Sequence, residues 1–287
     1  MNLNGMIVLR ILGVIYFLFG YIVHITYLSI FPELFDSFRE TTLISRAVDK
    51  NLLTFETINP RHFCDDKHRV VDDEIYGGGH GLLMKAPPII AAIKHWIEKN
   101  GLVENGTLKV ESGKRNKKTH HPIPGTLNFK IIIPHPSQDV FNQSFAHNWS
   151  ECSHLLFICG RYEGIDERVR LRLKKNYPDH TQRISLGQFV TLGGELPAMT
   201  MTEAVVRLLP GVINTELSWI EESYSLEQNM QNLEHPQYTR PEVVEGMKVP
   251  EVLLSGHHKK IAEWKKDNSL NLPPDFFFNR RGDREIE

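Results

Sequence analysis

Between Leu155 and Met199 the chain twice runs from a short apolar stretch into a glycine-bearing polar loop. The first run reads LLFICGRYEGIDERV, Leu155 to Val169, and the second reads ISLGQFVTLGGELPAM, Ile184 to Met199. Each apolar stretch has the length of a strand and ends in glycine plus polar side chains. That is the pattern of a parallel sheet presenting a ligand site at the carboxyl ends of its strands. The glycines let the backbone approach a ligand closely and offer amides and carbonyls as contacts. Neither loop fits GxGxxG or GxxxxGK[ST], which weakens a dinucleotide or P-loop reading.

The flanking sequence extends the alternation. Ile25 to Ile30 reads as a strand, followed by a Phe31-Pro32 turn and a helix from about Leu34. Pro88 to Lys99 carries Ile89, Ile90, Ile93 and Ile97 at helical spacing, with Pro87 and Pro88 at its start. Phe129 to Ile133 is a β-branched strand, and Met201 to Leu209 reads as a helix ending at Pro210-Gly211. Strands alternating with helices predict an α/β fold with a mostly parallel sheet. Residues 100–128 are polar, glycine-bearing and basic, and read either as a surface loop or as an extra contact to a nucleic-acid backbone. Residues 215–234 lose periodicity and read as a linker.

Bulk properties exclude little. A formal net charge of −2 over 287 residues gives no global basic field of the kind that announces a nucleic-acid binder. Basic residues do cluster locally: Arg61 with Lys67, His68 and Arg69; Lys109 with Lys114 to Lys118; Arg168 to Lys175. Each reads as a solvated face or as a phosphate contact. The three cysteines, Cys64, Cys152 and Cys159, lack CxxC spacing. They indicate a reducing, cytoplasmic compartment with neither a disulfide framework nor a zinc site.

CGRYEGIDERV together with SLGQFVTLGGELPAMT resembles the bacterial tRNA (guanine-N1)-methyltransferase family of the knotted SPOUT class. SIFPELF, ISRAVDKNLL with INPRHF, DDKHRVVDDEIYGGGHGLLM and YTRPEVVEGMKVPEVLLSG resemble the same family in the same order. The resemblance implies a deep trefoil knot whose loops, after Ile133, after Cys159 and around Gly187 to Pro197, form an S-adenosylmethionine pocket. It also implies a homodimer that methylates N1 of the guanosine just 3′ of the tRNA anticodon. The domain organisation implied is a knotted domain over 24–214, a linker over 215–234, and a helical C-terminal region over 235–287 that is shorter than the family's. Residues 1–23 precede the family's first strand. Met6 to Val23 is apolar apart from Arg10 and reads as translation from an upstream mis-assigned start or as a membrane anchor.

The chemistry such an enzyme must perform constrains its residues. N1 of guanine carries a proton and is a poor nucleophile until that proton leaves, whereas a carboxylate base has a pKa of about 4. The base therefore needs a raised pKa or help from a donor that stabilises charge on guanine O6. An arginine supplies such donors in a fixed fork. By resemblance the arginine is Arg207, in TEAVVRLLPG, and the base is Glu222, in IEESY, where the family carries an aspartate. Glu221 is the neighbouring alternative.

The cofactor contacts implied are Gly160, Tyr162, Glu163 and Gly164 from the first loop. The second gives Leu186, Gly187, Phe189, Thr191, Gly193, Gly194 and Pro197. His135 and Pro136 come from PHPSQ, where the family has LSPQG. The implied substrate contacts are Asp72 at the guanine edge, Tyr76 and Gly81 in the glycine loop, Arg61 at phosphate, and Arg240 at tRNA or between domains. Glu163, Glu221 and Glu222 would be the ligands of a Mg²⁺. The alternative reading is a catalytically impaired tRNA-binding dimer of the same fold.

Overall fold

The computed structural model describes residues 22–104, 107–108, 128–213, 222–225 and 231–272. The chain divides into two compact units, residues 1–214 and 215–287.

In the first unit the main sheet uses β1 (Val23–Leu28), β2 (Leu53–Ile58), β5 (Phe129–Val140), β6 (His154–Ile158) and β7 (Thr181–Ser185). All pairings are parallel and the order across the sheet is β2-β1-β6-β5-β7. Central β6 is buried along its whole length, as expected of a parallel strand covered on both faces. A hairpin of β3 (Asp72–Glu74) and β4 (Leu82–Met84) stands beside the sheet.

One face of the sheet is covered by α2 (Ala86–Lys99). Its Ile89, Ile93, Trp96 and Ile97 join Leu28, Ile58, Ile131, Leu156 and Ile158 in one apolar cluster. Pro87 lies in the first turn of this helix, where its missing N–H leaves no bond unmade. Trp96 Nε1 is buried but donates to Thr26 Oγ1 at 2.9 Å. On the other face Tyr27 packs against Phe35 and Phe157, and its hydroxyl donates to Thr202 Oγ1 at 2.8 Å. Thr202 belongs to α5 (Glu195–Val206). The remaining helices of this unit that matter here are α1 (Thr42–Asp49), α3 (Gln143–Ser150) and α4 (Glu167–Asn176).

Three expectations need correction. Val23, read as the end of the apolar N-terminal segment, is the first residue of β1 and pairs with Leu53. Strand β5 does not end at Ile133 but continues to Val140. Pro134 and Asp139 both face Ile184, so residues 135–138 loop out as a bulge. Proline donates nothing to a ladder, and a bulge is where a strand tolerates it. Helix α5 begins at Glu195, not Met201, because Pro197 falls in its first turn and interrupts no hydrogen bond.

In the second unit, Tyr224 N donates to Asn232 O at 2.7 Å and Glu234 N to Ser223 Oγ at 2.9 Å. Helix α6 (His258–Asn268) carries Trp264, whose ring meets His235 and Tyr238 edge-on. No helix among the described residues is long and apolar enough to cross a membrane. Residues 1–21, most of residues 100–128 and residues 273–287 lie outside the described residues.

Candidate active site

The looped-out segment within β5 and the loops after β6 and β7 close on one cavity of about 300 Å³. The β5 bulge contributes Pro134, His135 and Pro136. The loop after β6 contributes Gly160, Tyr162, Glu163 and Gly164. The loop after β7 contributes Leu186, Phe189, Thr191, Gly193, Gly194 and, from α5, Pro197. Of the cofactor residues expected from the sequence, Gly187 alone does not line the cavity. It stands behind Phe189, where an added Cβ would lie 3.0 Å from the ring.

The loop after edge strand β7 reaches past β5 to the loop after β6. Gly193 bridges Arg161, and Gly194 N donates to Gly160 O at 2.9 Å. Gly194 makes this possible: a Cβ there would sit 2.8 Å from the Cys159 Cα, backbone that cannot give way. Beneath the crossing lies a buried polar junction that sequence reasoning missed. Ser29 Oγ donates to Glu195 Oε1 at 2.6 Å, and Arg161 Nε lies 2.8 Å from Glu195 Oε2. The Arg161 N–H does not point along that contact, which makes it Coulombic rather than an aligned hydrogen bond. The Arg161 guanidinium also covers the Phe31 ring at 4.7 Å. Both charged residues sit inside the motifs CGRYEG and GGELP, so the signal was available. Only their pairing was not.

The cavity rim is charged. Asp166 caps α4 through Arg168 N, and its carboxyl is held below the usual range chiefly by the Arg168 side chain. Glu167 receives Arg170 Nε at 2.5 Å and faces Arg183 Nη1 at 3.6 Å. Arg183 also contacts His135 Nε2. Burial first, and the Arg183 guanidinium second, hold His135 below its ordinary pKa, so the ring is neutral at pH 7.

The substrate residues expected in the first unit are placed around the same end of the sheet. Asp72 is half-buried at the start of β3, opposite Met84 of β4. Tyr76 is 96% exposed, at the tip of a loop in which Gly77, Gly78, Gly79 and Gly81 all take positive φ. Gly81 abuts Glu163. Arg61 is half-buried and donates to Arg69 O at 3.3 Å, which joins it to the basic Lys67–Arg69 turn. Arg207 caps the C-terminus of α5.

Glu222 and Arg240 belong to the second unit. Glu222 is half-buried and opens the turn that Ser225 N closes on Glu222 O at 3.3 Å, and Arg240 is exposed. Glu221 lies outside the described residues. Among those described, no three His, Cys, Asp or Glu side chains converge to hold a metal.

A parallel α/β sheet with a cavity built from glycine loops at the carboxyl ends of its strands is the arrangement in which open α/β folds receive a ligand. A family model described as tRNA (Guanine-1)-methyltransferase TrmD matches residues 23–273. The chain belongs to that family. It is 41% identical over 246 residues to a Bacillus subtilis protein named tRNA (guanine-N(1)-)-methyltransferase, covering 86% of this chain and 87% of that one. Proteins of the same name from Lachnoclostridium phytofermentans and Dictyoglomus turgidum are 39% and 40% identical. The first match covers 85% of both chains, the second 84% of this chain and 83% of its relative.

Proposed function

We propose that this protein transfers the methyl group of S-adenosylmethionine to N1 of the guanosine at tRNA position 37, as a cytoplasmic homodimer. The observation that carries the proposal is the closing of three loops on one cavity in a chain of this family. On this reading the passage of the loop after β7 beyond β5 is the trefoil knot of the SPOUT class, and the cavity takes S-adenosylmethionine. The residues fit that ligand. Gly160, Gly164, Gly193 and Gly194 line the walls without side chains and let a ligand lie close to the backbone, and the rim carboxylate of Glu163 suits a cationic one. Bound there, it supplies an activated methyl group.

The chain's own residues do the remaining chemistry. Glu222 takes the N1 proton. Arg207 offers fixed donors to the charge that gathers on guanine O6. Asp72 accepts from the exocyclic amine at the guanine edge, a donor that adenine lacks at that position. Arg61 and Arg240 meet the tRNA backbone. Glu163, Glu221 and Glu222 are the residues that would hold a Mg²⁺, and no step here depends on it.

The position of Arg207 supports a dimer. Helix α5 runs from Gly194, at the cavity, to Arg207, and its 12 residues span about 18 Å. An arginine side chain cannot cover that distance, which supports a site that takes its Arg207 from a second copy. Val190 and Leu192 in the loop after β7 and Leu196 in the first turn of α5 are apolar and 81%, 91% and 65% exposed, which fits a face that a second copy covers. The alternative, an impaired tRNA-binding dimer, is not favoured: the three loops keep an open cavity.

The test is transfer of labelled methyl from S-adenosylmethionine to a tRNA transcript with guanosine at positions 36 and 37. A second transcript carries adenosine at position 37. Label on the first and none on the second is expected. Equal labelling of both would overturn the assignment.

A further inference from the structure

The loop carrying the proposed target-base residues and the loop carrying Glu163 form one hydrogen-bonded body. Glu163 N donates to Leu82 O, Met84 N to Gly164 O and Asp166 N to Met84 O, each at 3.0 Å. Met84 also bridges Ile165 in parallel register. At the head of this seam stands Gly81, with φ +91°. A Cβ on Gly81 would lie 2.7 Å from Glu163 Oε1 and 2.8 Å from its Cγ, closer than real Cβ contacts occur. Gly77 and Gly78 share the left-handed backbone, at φ +88° and +82°, yet a Cβ on either would meet nothing within 4 Å. Gly81 is therefore constrained twice, by its backbone and by the space that the Glu163 side chain fills. The same Glu163 lines the cavity.

We infer that Gly81 is a positioning residue: by leaving room for Glu163 it fixes that carboxylate at the cavity wall and couples occupancy of the cavity to placement of the Tyr76–Gly81 loop. The identities of the two ligands rest on the function proposed above. Any side chain at position 81 must turn Glu163 away, because Glu163 is the flexible partner of the clash. By linkage, a cofactor that engages Glu163 then favours the loop arrangement that receives the target base, and the converse holds equally.

The experiment is calorimetry of S-adenosylmethionine binding to the wild type, Gly81→Ala, Gly78→Ala, Glu163→Ala and the Gly81→Ala/Glu163→Ala double variant. The affinity of each for tRNA is then measured with and without S-adenosylhomocysteine. Gly81→Ala should weaken cofactor binding by about tenfold or more, and Gly78→Ala, which carries the same backbone penalty, by no more than about twofold. In the Glu163→Ala background Gly81→Ala should add no more than Gly78→Ala does, the non-additivity expected of residues that act through one contact. The cofactor should tighten tRNA binding in the wild type and lose that effect in Gly81→Ala. Equal effects of Gly78→Ala and Gly81→Ala, or a full Gly81→Ala effect without Glu163, would overturn the inference in favour of backbone strain. A wild type whose tRNA affinity ignores the cofactor would overturn the coupling. A wild type that binds no S-adenosylmethionine would overturn the functional reading instead. Thermal melts of the same variants would then decide the Gly81–Glu163 contact: Gly81→Ala should melt below Gly78→Ala, and removing Glu163 should erase the difference.

Discussion

Arg161 Nε lies 2.8 Å from Glu195 Oε2 in a junction where the glutamate is 1% exposed and the arginine 20%. With Ser29 on the other carboxylate oxygen, the pair ties the loops after β1 and β6 to the first turn of α5. The crossing of the loops after β6 and β7 is thus held by charge as well as by apolar packing.

The two halves of that pair should not be equivalent. Arg161→Leu strands a buried carboxylate and should destabilise the fold by about 3–5 kcal/mol. Glu195→Gln keeps the Ser29 bond and leaves an arginine with access to solvent, so the loss should be smaller. Urea denaturation of both variants checks this, and equal midpoints would contradict it.

His154 gives the fold a pH dependence. Its ring stacks on His24 at 4.7 Å, and burial first, then the His24 charge, lowers its pKa to about 4. The unfolded chain binds the proton below about pH 6.5, whereas the native state resists it until about pH 4. Stability should therefore fall as pH drops from 6.5 towards 4, by up to about 3 kcal/mol from this residue. His154→Phe keeps an aromatic ring against Trp96 and removes the titration. Its urea midpoint should change less between pH 7 and pH 5 than that of the wild type.

Glu222→Gln should abolish methyl transfer and leave the affinity for S-adenosylmethionine unchanged within error. Arg207→Ala should lower kcat by about a hundredfold or more if its guanidinium acts on developing charge at O6. Single-turnover rates with saturating tRNA separate this from a binding defect, which would appear in KM alone.

Mixed dimers test the sharing of sites between copies. If Arg207 serves the partner's cavity, combining Arg207→Ala with the cavity variant Gly194→Ala should restore activity to about a quarter of wild type, since half the dimers are mixed and each holds one intact site. No recovery, with both variants dimeric, would place Arg207 and the cavity in the same protomer's site.

The sheet was legible in the sequence because its central strands are uninterrupted apolar runs such as Leu155 to Ile158, buried on both faces. The cavity was legible for a related reason, since its walls are consecutive residues of two glycine loops. What was not legible depends on contacts between distant segments. Pro134 and Pro136 signal the end of a strand, and only the Ile184 pairing reveals a bulge. Arg183 reaches His135 and Glu167 from another strand, and Glu195 reaches Ser29 across 166 residues. No spacing rule foretells such meetings. Gly81 reads in the sequence as one residue of a glycine loop, and only the fold brings Glu163 into the space its side chain would fill.

The most direct test of the account is nucleoside analysis of a tRNA transcript, with guanosine at positions 36 and 37, after incubation with the purified protein and S-adenosylmethionine. N1-methylguanosine confined to position 37 is the expected product. A methylated base at another position, or no product from protein that binds both ligands, would contradict it.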